Sequence, residues 1–238
     1  MGAEAVLNRR DRELPPPPIV NPHKLERLEM KILVLGATGA TGRLIVSQAL
    51  AKGHAVVALV RKKATAADLA GAELVEGDAR DGAALTRAVA GCDAVVSSLG
   101  TAMSPFREVT MLSTATRALV GVMAKQNIRR LVCITGIGAG DSRGHGGFFY
   151  DRLFLPLMLR NVYEDKDRQE NAIRASALDW IIVRPTALND KPPRGHIRAL
   201  TDLSGIQGGT IARADVADFV VQQLTADTWL RKAPLITW

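Results

Sequence analysis

The chain has 238 residues, 47% of them hydrophobic and 23% charged, and this balance is typical of one globular α/β domain with a large core. No apolar run reaches the ~20 residues that a membrane-spanning helix needs, and the N-terminus lacks the apolar stretch of a secretory signal. The net charge is +7, but aromatic residues make up only 4% of the chain and do not interleave with a basic stripe, which disfavours nucleic acid as a partner. We therefore expect a cytoplasmic protein without a membrane or nucleic-acid partner, present as a monomer or a small homo-oligomer.

The first 29 residues differ in composition from the rest of the chain. They carry five Lys or Arg and five Asp or Glu residues, so the positive excess belongs to the remainder. The four prolines Pro15–Pro18 favour an extended polyproline segment without helix or sheet hydrogen bonds. We predict a disordered tail over residues 1–29 and a single folded domain over residues 30–238.

The stretch Met30–Leu50 has the pattern of a strand, a glycine turn and a helix. Ile32–Leu35 is a short apolar run typical of a buried strand, and apolar residues recur at helical spacing after position 42. Between them, Gly36, Gly39 and Gly42 are spaced as GxxGxxG. Such glycines allow a tight turn, a close approach of the backbone to a diphosphate, and packing of helix on strand. The free amides of the new helix then face the phosphates. The sequence therefore predicts a dinucleotide site here rather than an ordinary strand–turn–helix corner.

The second predicted strand, Ala55–Val60, is followed at once by Arg61, Lys62 and Lys63. In a dinucleotide-binding fold this position meets the adenosine ribose, where an acid selects NAD and a cation matches the 2′-phosphate of NADP. Arg61 is the best candidate, because a planar guanidinium can pair with a phosphate and lie over adenine. Arg43 is a second candidate for the same phosphate. We therefore predict that NADP(H) is preferred over NAD(H).

Strands alternate with helices along the rest of the chain, which predicts a Rossmann-like doubly wound parallel sheet. Further strands are predicted over Glu73–Glu76, Asp93–Ser97, Arg130–Ile134, Asp179–Arg184, Gly209–Ala212 and Pro234–Thr237, and helices over Asp81–Ala90, 106–125, Tyr163–Ser176 and Asp215–Leu224. Residues 187–200 are predicted to form a loop. There is no internal repeat and no second core, so the predicted fold class is a single α/β domain.

Loops after the predicted strands supply further candidate ligands, because ligands of open α/β sheets collect at the carboxyl ends of the strands. Asp78, after the third strand, either contacts the adenine edge or forms a turn. Gly100 and Thr101 follow the fourth strand, where they can approach the cofactor. The glycine-rich segment after the fifth strand, Thr135–Asp141, is where we expect the substrate, and His145 is a candidate contact nearby.

Residues 148–160, FFYDRLFLPLMLR, form a strongly apolar segment with Pro156 inside. We predict a helix that is kinked at Pro156 or begins there. Buried core or a pocket lid explains the apolar pattern better than a membrane-surface helix does.

The two cysteines, Cys92 and Cys133, lie far apart in sequence, and Cys133 falls inside an apolar strand pattern. We predict buried, reduced thiols rather than a disulfide or a metal site. The four histidines are isolated and lack the spacing of zinc ligands, so no metal is expected.

Six motifs follow one another along the chain. They are GATGATG at Gly36–Gly42, LVRK at Leu59–Lys62, GDARD at Gly77–Asp81, CDAVVSSLG at Cys92–Gly100, DKDRQE at Asp165–Glu170 and SALDWIIVRP at Ser176–Pro185. Together they resemble the atypical short-chain dehydrogenase/reductases, and the nearest branch is the NmrA-like group that includes the biliverdin-IXβ and flavin reductases. The resemblance covers Met30 to Trp238 and is specific to the superfamily rather than to one substrate.

The resemblance implies that the glycine turn binds NADP(H), with Arg61 on the 2′-phosphate, Asp78 at the adenine and Leu99-Gly100 beside the nicotinamide-side ribose. Together with the patterns above, the expected cofactor-binding residues are Gly36, Thr38, Gly39, Ala40, Thr41, Gly42, Arg61, Lys62, Asp78, Ala79, Leu99, Gly100, Thr101 and Thr135.

The chain departs from the family where the catalytic groups are expected. Many members carry a serine after the fifth strand and a YxxxK helix, whereas this chain has Gly136 beside Thr135. If Lys166 corresponds to the family lysine, Val162 takes the tyrosine position, and Tyr163 is turned about 100° away from that row. The expected catalytic residues are therefore Thr135, which shares proton delivery with solvent, and Lys166, which bonds ribose hydroxyls.

These expectations favour an NADPH-dependent oxidoreductase that transfers hydride to a small conjugated acceptor, such as a flavin, a quinone or a tetrapyrrole. The missing serine and YxxxK tyrosine leave open an alternative, a non-catalytic NADP(H)-sensing regulatory protein of the NmrA-like type. A relative of the sugar epimerases is a third, weaker alternative, because the tyrosine is absent and the C-terminal part is too short for a substrate domain.

Overall fold

The computed structural model describes residues 29–238, so the predicted tail lies outside the described residues except for Glu29. The strands are β1 Lys31–Leu35, β2 Ala55–Val60, β3 Glu73–Glu76, β4 Ala94–Ser97, β5 Arg130–Ile134, β6 Asp179–Pro185, β7 Ala187–Asn189, β8 Arg198–Leu200, β9 Thr210–Ala212 and β10 Leu235–Thr237. The α-helices are α1 Ala40–Ala51, α2 Gly82–Ala88, α3 Met111–Lys125, α4 Arg160–Arg174 and α5 Arg213–Gln222. A π-helical segment, Tyr150–Leu159, precedes α4 directly.

Eight strands form one sheet in the order β3-β2-β1-β4-β5-β6-β10-β8. The neighbouring strands are parallel, except that β8 runs antiparallel to β10 at the edge. The strand order changes direction between β1 and β4, and ligands of such sheets bind in the crevice at the carboxyl ends of these strands. The predicted Rossmann-like sheet is therefore confirmed, and the loops that follow β1 and β4 meet at its crevice.

The predicted loop over residues 187–200 is wrong, because it contains two short strands. β7 pairs with β9 in a separate two-stranded parallel sheet, and β8 closes one edge of the main sheet. Each strand has only three residues, none of them buried, so no apolar run marks either one. Strands of this kind form because a partner strand is present, which local sequence does not reveal.

Alternate side chains of the central strands fill two apolar layers. Ile32 and Val34 of β1 pack with α1 and α5, whereas Leu33 and Leu35 pack with α2 and α3. Because helices cover both faces, these strands are apolar at nearly every position. The two cysteines are buried, unpaired thiols, as predicted, and burial raises the pKa of Cys133 to about 12.

The apolar segment 148–160 is helical, but its winding and exposure differ from the prediction. Pro156 lies inside the π-helical segment, and α4 follows without a break at Arg160. Proline has no amide hydrogen, and its ring would clash with the preceding turn of an α-helix, so wider π turns suit it. Leu155 is the one buried residue of the π-helical segment, and Tyr150 and Leu159 are partly buried. The buried-core interpretation is wrong for the exposed Leu153, Phe154, Leu157 and Met158. Within residues 29–238, no helix combines the length and the apolar character needed to cross a bilayer.

Helix α3 begins at Met111 rather than at residue 106, and its N-terminus is capped from another helix. The side chain of Thr110, the preceding residue, makes no capping hydrogen bond. Instead, the fully buried carboxylate of Asp165 in α4 accepts hydrogen bonds from the amides of Leu112 (2.8 Å) and Ser113 (3.3 Å). Asp165 thus satisfies amides that α3 cannot satisfy itself and places a negative charge at the positive end of its dipole.

We expect Asp165→Ala to lower the free energy of unfolding by about 2–4 kcal/mol, because two buried amides lose their acceptor. Asp165→Asn should lower the free energy of unfolding by less, since the asparagine amide oxygen can still accept these hydrogen bonds. Urea denaturation followed by circular dichroism measures both. The control is Asp81→Ala, which removes the exposed cap of α2 (2.9 Å to the amide of Ala83) and should cost about 1 kcal/mol. Equal losses for Asp165→Ala and Asp81→Ala would contradict the assignment.

Candidate functional site

The turn between β1 and α1 is shaped by glycines that no other residue could replace. Gly36 has φ +75°, and a Cβ there would overlap the carbonyl oxygen of Ser98, in the loop after β4. A Cβ at Gly42 would overlap the carbonyl oxygen of Gly36, so α1 packs directly on the turn. The backbones of the two loops that flank the crevice are therefore in contact.

The first turn of α1 is open to an anion. Gly39 occupies the N-cap position without a side chain, and the first turn of the helix contains no acidic residue. The amide of Gly39 donates to the carbonyl of Gly36 (3.0 Å), which closes the turn below the helix. The amides that follow, at the positive end of the helix dipole, have no side-chain cap. This cradle of uncapped amides fits a diphosphate.

A second part of the candidate site lies at the ends of β2 and β3. Arg61, Glu76, Gly77 and Asp78 line a cavity of about 360 Å³. Arg61 is exposed beside it, as are Lys62 and Lys63. The guanidinium of Arg61 is the basic group in the lining of this cavity that can pair with an anionic ligand.

The carboxylate of Asp78 forms a local turn. It accepts hydrogen bonds from the amide (2.8 Å) and the guanidinium Nη2 (2.6 Å) of Arg80. These bonds lower the pKa of Asp78 to about 2, so the group is ionised. Of the two interpretations of Asp78, the structure contains the turn, and Asp78 also lines the cavity beside Arg61.

Arg43, the second candidate for the 2′-phosphate, is engaged within the protein. Its Nε donates to the carbonyl of Thr38 (3.0 Å), and its guanidinium pairs with Asp68. The side chain thereby ties the glycine turn to the segment after β2. Arg61 is left as the better candidate.

The loop after β4 begins beside the glycine turn, because the amide of Ser98 donates to the carbonyl of Leu35 (2.9 Å). Leu99 packs partly on the core, whereas Gly100 and Thr101 are exposed. Ala79, after β3, also packs partly on the core. The predicted cofactor residues thus lie along one edge of the sheet.

Lys166 and Tyr163 converge on the loop after β5. Lys166 Nζ donates to the carbonyl of Thr135 (2.5 Å) and lies 4.8 Å from the centroid of the Tyr163 ring. A Cβ at Gly136 would lie 3.2 Å from Lys166 Nζ and 3.4 Å from the Tyr163 hydroxyl. The expectation that Tyr163 is turned away from the row of Lys166 is therefore wrong. Residues three apart on a helix share a face, and Gly136 leaves room for both side chains.

A second tyrosine completes this cluster. Tyr150, in the π-helical segment, donates a hydrogen bond to the hydroxyl of Tyr163 (2.7 Å). Burial is the main cause that raises the pKa of Tyr163, and the neighbouring Tyr150 raises it further, so the phenol stays protonated. Burial lowers the pKa of Lys166 to about 8. No sequence pattern marks Tyr150, because its contact depends on how the π-helical segment packs.

The hydroxyl of Thr135 is committed to a buried ion pair. It donates to Glu170 Oε1 (2.8 Å), and Glu170 accepts two hydrogen bonds from Arg184, at 3.0 Å from Nε and 2.5 Å from Nη2. Glu170 and Arg184 are each 1% exposed. Thr135 is therefore placed as a support of this pair rather than as an open proton source.

Each residue of the DKDRQE motif bonds a different part of the fold. Asp165 caps α3, Lys166 reaches Thr135, Asp167 accepts from the amide of Gly140 (2.7 Å), Arg168 donates to the carbonyl of Val109 (2.5 Å), Gln169 donates to Thr116 (3.2 Å), and Glu170 pairs with Arg184. None of these six contacts was predicted from the sequence. The signal was the motif itself, which is strongly polar although it lies on a helix that packs between α3 and β6.

His145, the candidate substrate contact, lies with Nδ1 3.0 Å from the carbonyl oxygen of Ile206. The ring therefore joins the loop after β5 to the loop that follows β8. Its placement supports a structural role in that corner.

We expect Arg184→Leu to lower the free energy of unfolding by about 3–5 kcal/mol, because it leaves the Glu170 carboxylate buried without its partner. The double variant Glu170→Leu/Arg184→Leu should lose less unfolding free energy than the sum of the losses in Glu170→Leu and Arg184→Leu. The control, Arg129→Leu, removes an exposed ion pair with Asp179 (2.9 Å) and should cost much less. Urea denaturation measures all four, and a strictly additive double variant would contradict the buried pair.

The chain is similar to several known proteins. The NAD(P)H-binding family matches residues 36–227 of the chain. YhfK of Bacillus subtilis, an uncharacterized sugar epimerase, is 31% identical over 204 residues, which cover 82% of this chain and 88% of YhfK. Among solved structures, ChuY of Escherichia coli O157:H7, described as an anaerobillin reductase, is 25% identical with a TM-score of 0.75, over 87% of this chain and 96% of that one.

A short-chain dehydrogenase/reductase of Veillonella parvula in complex with NADP has a TM-score of 0.72 at 16% identity, over 88% of this chain and 94% of that one, and shares the fold. The resemblance to the atypical short-chain dehydrogenase/reductases is thereby confirmed. The chain belongs to the NAD(P)H-binding family.

Proposed function

We propose that the chain is an NADPH-dependent reductase that transfers hydride to a small conjugated acceptor of the flavin, quinone or tetrapyrrole type. The observation that carries this proposal is the convergence of Lys166 and Tyr163 at Gly136, on the same sheet edge as the open glycine turn. A cofactor cradle and a proton-bearing phenol are the two parts that such a reduction needs.

The preference for NADPH is supported by the charges around β2. Arg61 is exposed at the end of this strand, where the adenosine ribose lies in such folds, and the strand ends in no carboxylate. Arg61 would pair with the 2′-phosphate, and the amides of the first turn of α1 would hold the diphosphate. Lys166, with its ammonium group close to Thr135, would orient the ribose hydroxyls.

Tyr163 is the proton donor that we favour in place of Thr135. Its hydroxyl lies 2.7 Å from that of Tyr150, and a phenol pair of this kind can pass a proton to a substrate atom, whereas the Thr135 hydroxyl is bound to Glu170. Bound NADPH would supply the hydride. The Tyr163 phenol would donate the proton that neutralises the reduced acceptor, and Lys166, with its pKa lowered to about 8 by burial, lies beside the ring.

The comparisons give partial support. ChuY is described as a reductase, whereas YhfK carries the name of a sugar epimerase. Tyr163 packs in an apolar cluster with Tyr150, Leu155 and Leu159, and such apolar surroundings suit a conjugated acceptor better than a sugar. The absence of a tyrosine, one reason for setting the epimerase aside, no longer applies.

Stopped-flow oxidation of NADPH with FMN, quinone and tetrapyrrole panels tests the reaction. We expect Tyr163→Phe to slow oxidation by about 100-fold or more with the NADPH Kd unchanged, because it removes the proton donor. Tyr150→Phe, the matched control, should lose much less. Unchanged turnover in Tyr163→Phe would overturn its role. Tight NADPH binding without turnover on any acceptor would discard the reductase in favour of the sensing protein.

We expect Arg61→Ala to weaken NADPH binding at least tenfold, about the loss of one charged hydrogen bond, and to leave NADH binding nearly unchanged. Isothermal titration calorimetry with both cofactors measures this difference. Arg87→Ala, an exposed arginine on α2, is the matched control and should change neither affinity. Equal losses of NADPH and NADH affinity in Arg61→Ala would contradict the 2′-phosphate assignment.

A further inference from the structure

Exposed apolar side chains are concentrated beside the candidate site. Of the nine large apolar side chains that are exposed in residues 29–238, eight lie in two segments. These eight, which we term the apolar face, are Met103, Phe106, Phe148, Phe149, Leu153, Phe154, Leu157 and Met158. Their exposed fractions run from 37% at Met158 to 96% at Phe106. A concentration of this kind marks an interaction surface rather than scattered surface residues.

The two segments are held together. Asn161, in the first turn of α4, donates through its side-chain amide to the carbonyls of Ser104 (2.8 Å) and Pro105 (3.2 Å). The loop that carries Met103 and Phe106 is thereby anchored directly after the π-helical segment. The apolar face thus joins this loop to the helical segment.

The inner side of the π-helical segment is already packed. Leu155, Tyr150 and Leu159 form an apolar cluster with Ala139 and Tyr163. Turning the apolar face inward as a lid would expose this cluster and break the bond between the two tyrosines. Within residues 29–238, the apolar face is therefore not a closed lid over the site and stays open to a partner.

The charge that accompanies the apolar face is positive. Arg107 and Arg152 are exposed, and neither has a carboxylate within 4 Å among residues 29–238. The Arg152 guanidinium lies 5.7 Å from the centroid of the Phe148 ring. The one acid of the π-helical segment, Asp151, turns a carboxylate oxygen inward, where it is buried.

The nearby acids are neutralised by arginines. Glu164 pairs with Arg160 (2.8 Å), and Glu108 lies 3.6 Å from Arg168. In a dimer with two-fold symmetry, Arg107 and Arg152 of one copy would face the same two arginines of the other copy. No free carboxylate on this face would be available to pair with them. Charge therefore disfavours self-association and favours an anionic, apolar partner.

We propose that the apolar face docks the protein on a bilayer that contains anionic phospholipids. The phenylalanine, leucine and methionine side chains enter the boundary between headgroups and acyl chains, and Arg107 and Arg152 pair with lipid phosphates. No membrane-spanning helix is needed for this mode of binding. The expectation of no membrane partner rested on two reasons: no run spans a bilayer, and buried core or a pocket lid explained residues 148–160. The first reason does not apply to a surface-docked segment, and the exposure of these side chains weakens the second.

Flotation of the full-length protein with vesicles tests the proposal. We expect binding to vesicles of phosphatidylcholine with phosphatidylglycerol and at least tenfold weaker binding to phosphatidylcholine alone, since two guanidiniums contribute. Arg107→Gln and Arg152→Gln should each weaken binding about fivefold. Phe149→Ser and Leu157→Ser should each weaken it at least tenfold, the loss of one buried apolar side chain.

Two matched controls share the chemistry but lie elsewhere. Leu188→Ser changes the one exposed large apolar residue that residues 29–238 have outside the apolar face, and Arg87→Gln removes an exposed charge on α2. Both should float like the unmodified protein. No flotation with the mixed vesicles, or equal losses in face and control variants, would overturn the proposal. The proposal would also be overturned if the unmodified protein does not bind vesicles but forms a dimer in light scattering, and Phe149→Ser dissociates that dimer. The assay contains neither cofactor nor acceptor, so its outcome is independent of the proposed reductase.

Discussion

The buried ion pair between Glu170 and Arg184 is the constraint on which the candidate site depends. One partner lies on α4 and the other on β6, and both are almost fully enclosed. Two charges taken out of water are stable only when their partners hold a fixed geometry, and Thr135 supplies a further hydrogen bond. The pair therefore sets the rotation of α4. That rotation brings Lys166 and Tyr163 to Gly136, so the geometry of the proposed reactive corner depends on an ion pair to which we assign no part in the chemistry.

The fold divides its tasks between two halves of the sheet. The half from β1 to β4 provides a backbone cradle for a diphosphate. Its glycines allow close packing of the turn, and its uncapped helix amides carry partial positive charge. The half from β5 to β10 provides side chains: the phenols, the lysine and the apolar cluster around Ala139. A backbone cradle suits any dinucleotide. The side chains on the other half decide what else can enter, and this is where relatives with different names are expected to diverge.

The sequence predicted the first half well because its signals are local. Buried parallel strands are continuous apolar runs, and the turn glycines at Gly36 and Gly42 are needed for steric reasons that hold wherever this turn occurs. The second half depends on contacts between distant segments. The position of Tyr163 was misjudged because a fixed spacing to Lys166 was assumed, whereas the side chain finds room above a glycine. β7 and β8 were missed because three exposed residues carry no periodicity.

The two edges of the sheet differ from its centre in a way that affects how the protein behaves in crowded solution. The outer strand β3 has only four residues and exposes Glu73 and Glu76 at its ends, and Glu73 pairs with Lys31 (3.1 Å). The opposite edge, β8, has three residues and exposes Arg198. Short edge strands offer few backbone groups for hydrogen bonds with an incoming extended peptide, and binding there would require desolvation of the charged side chains. The short, charged edge strands thus disfavour the extension of the open sheet into a fibril.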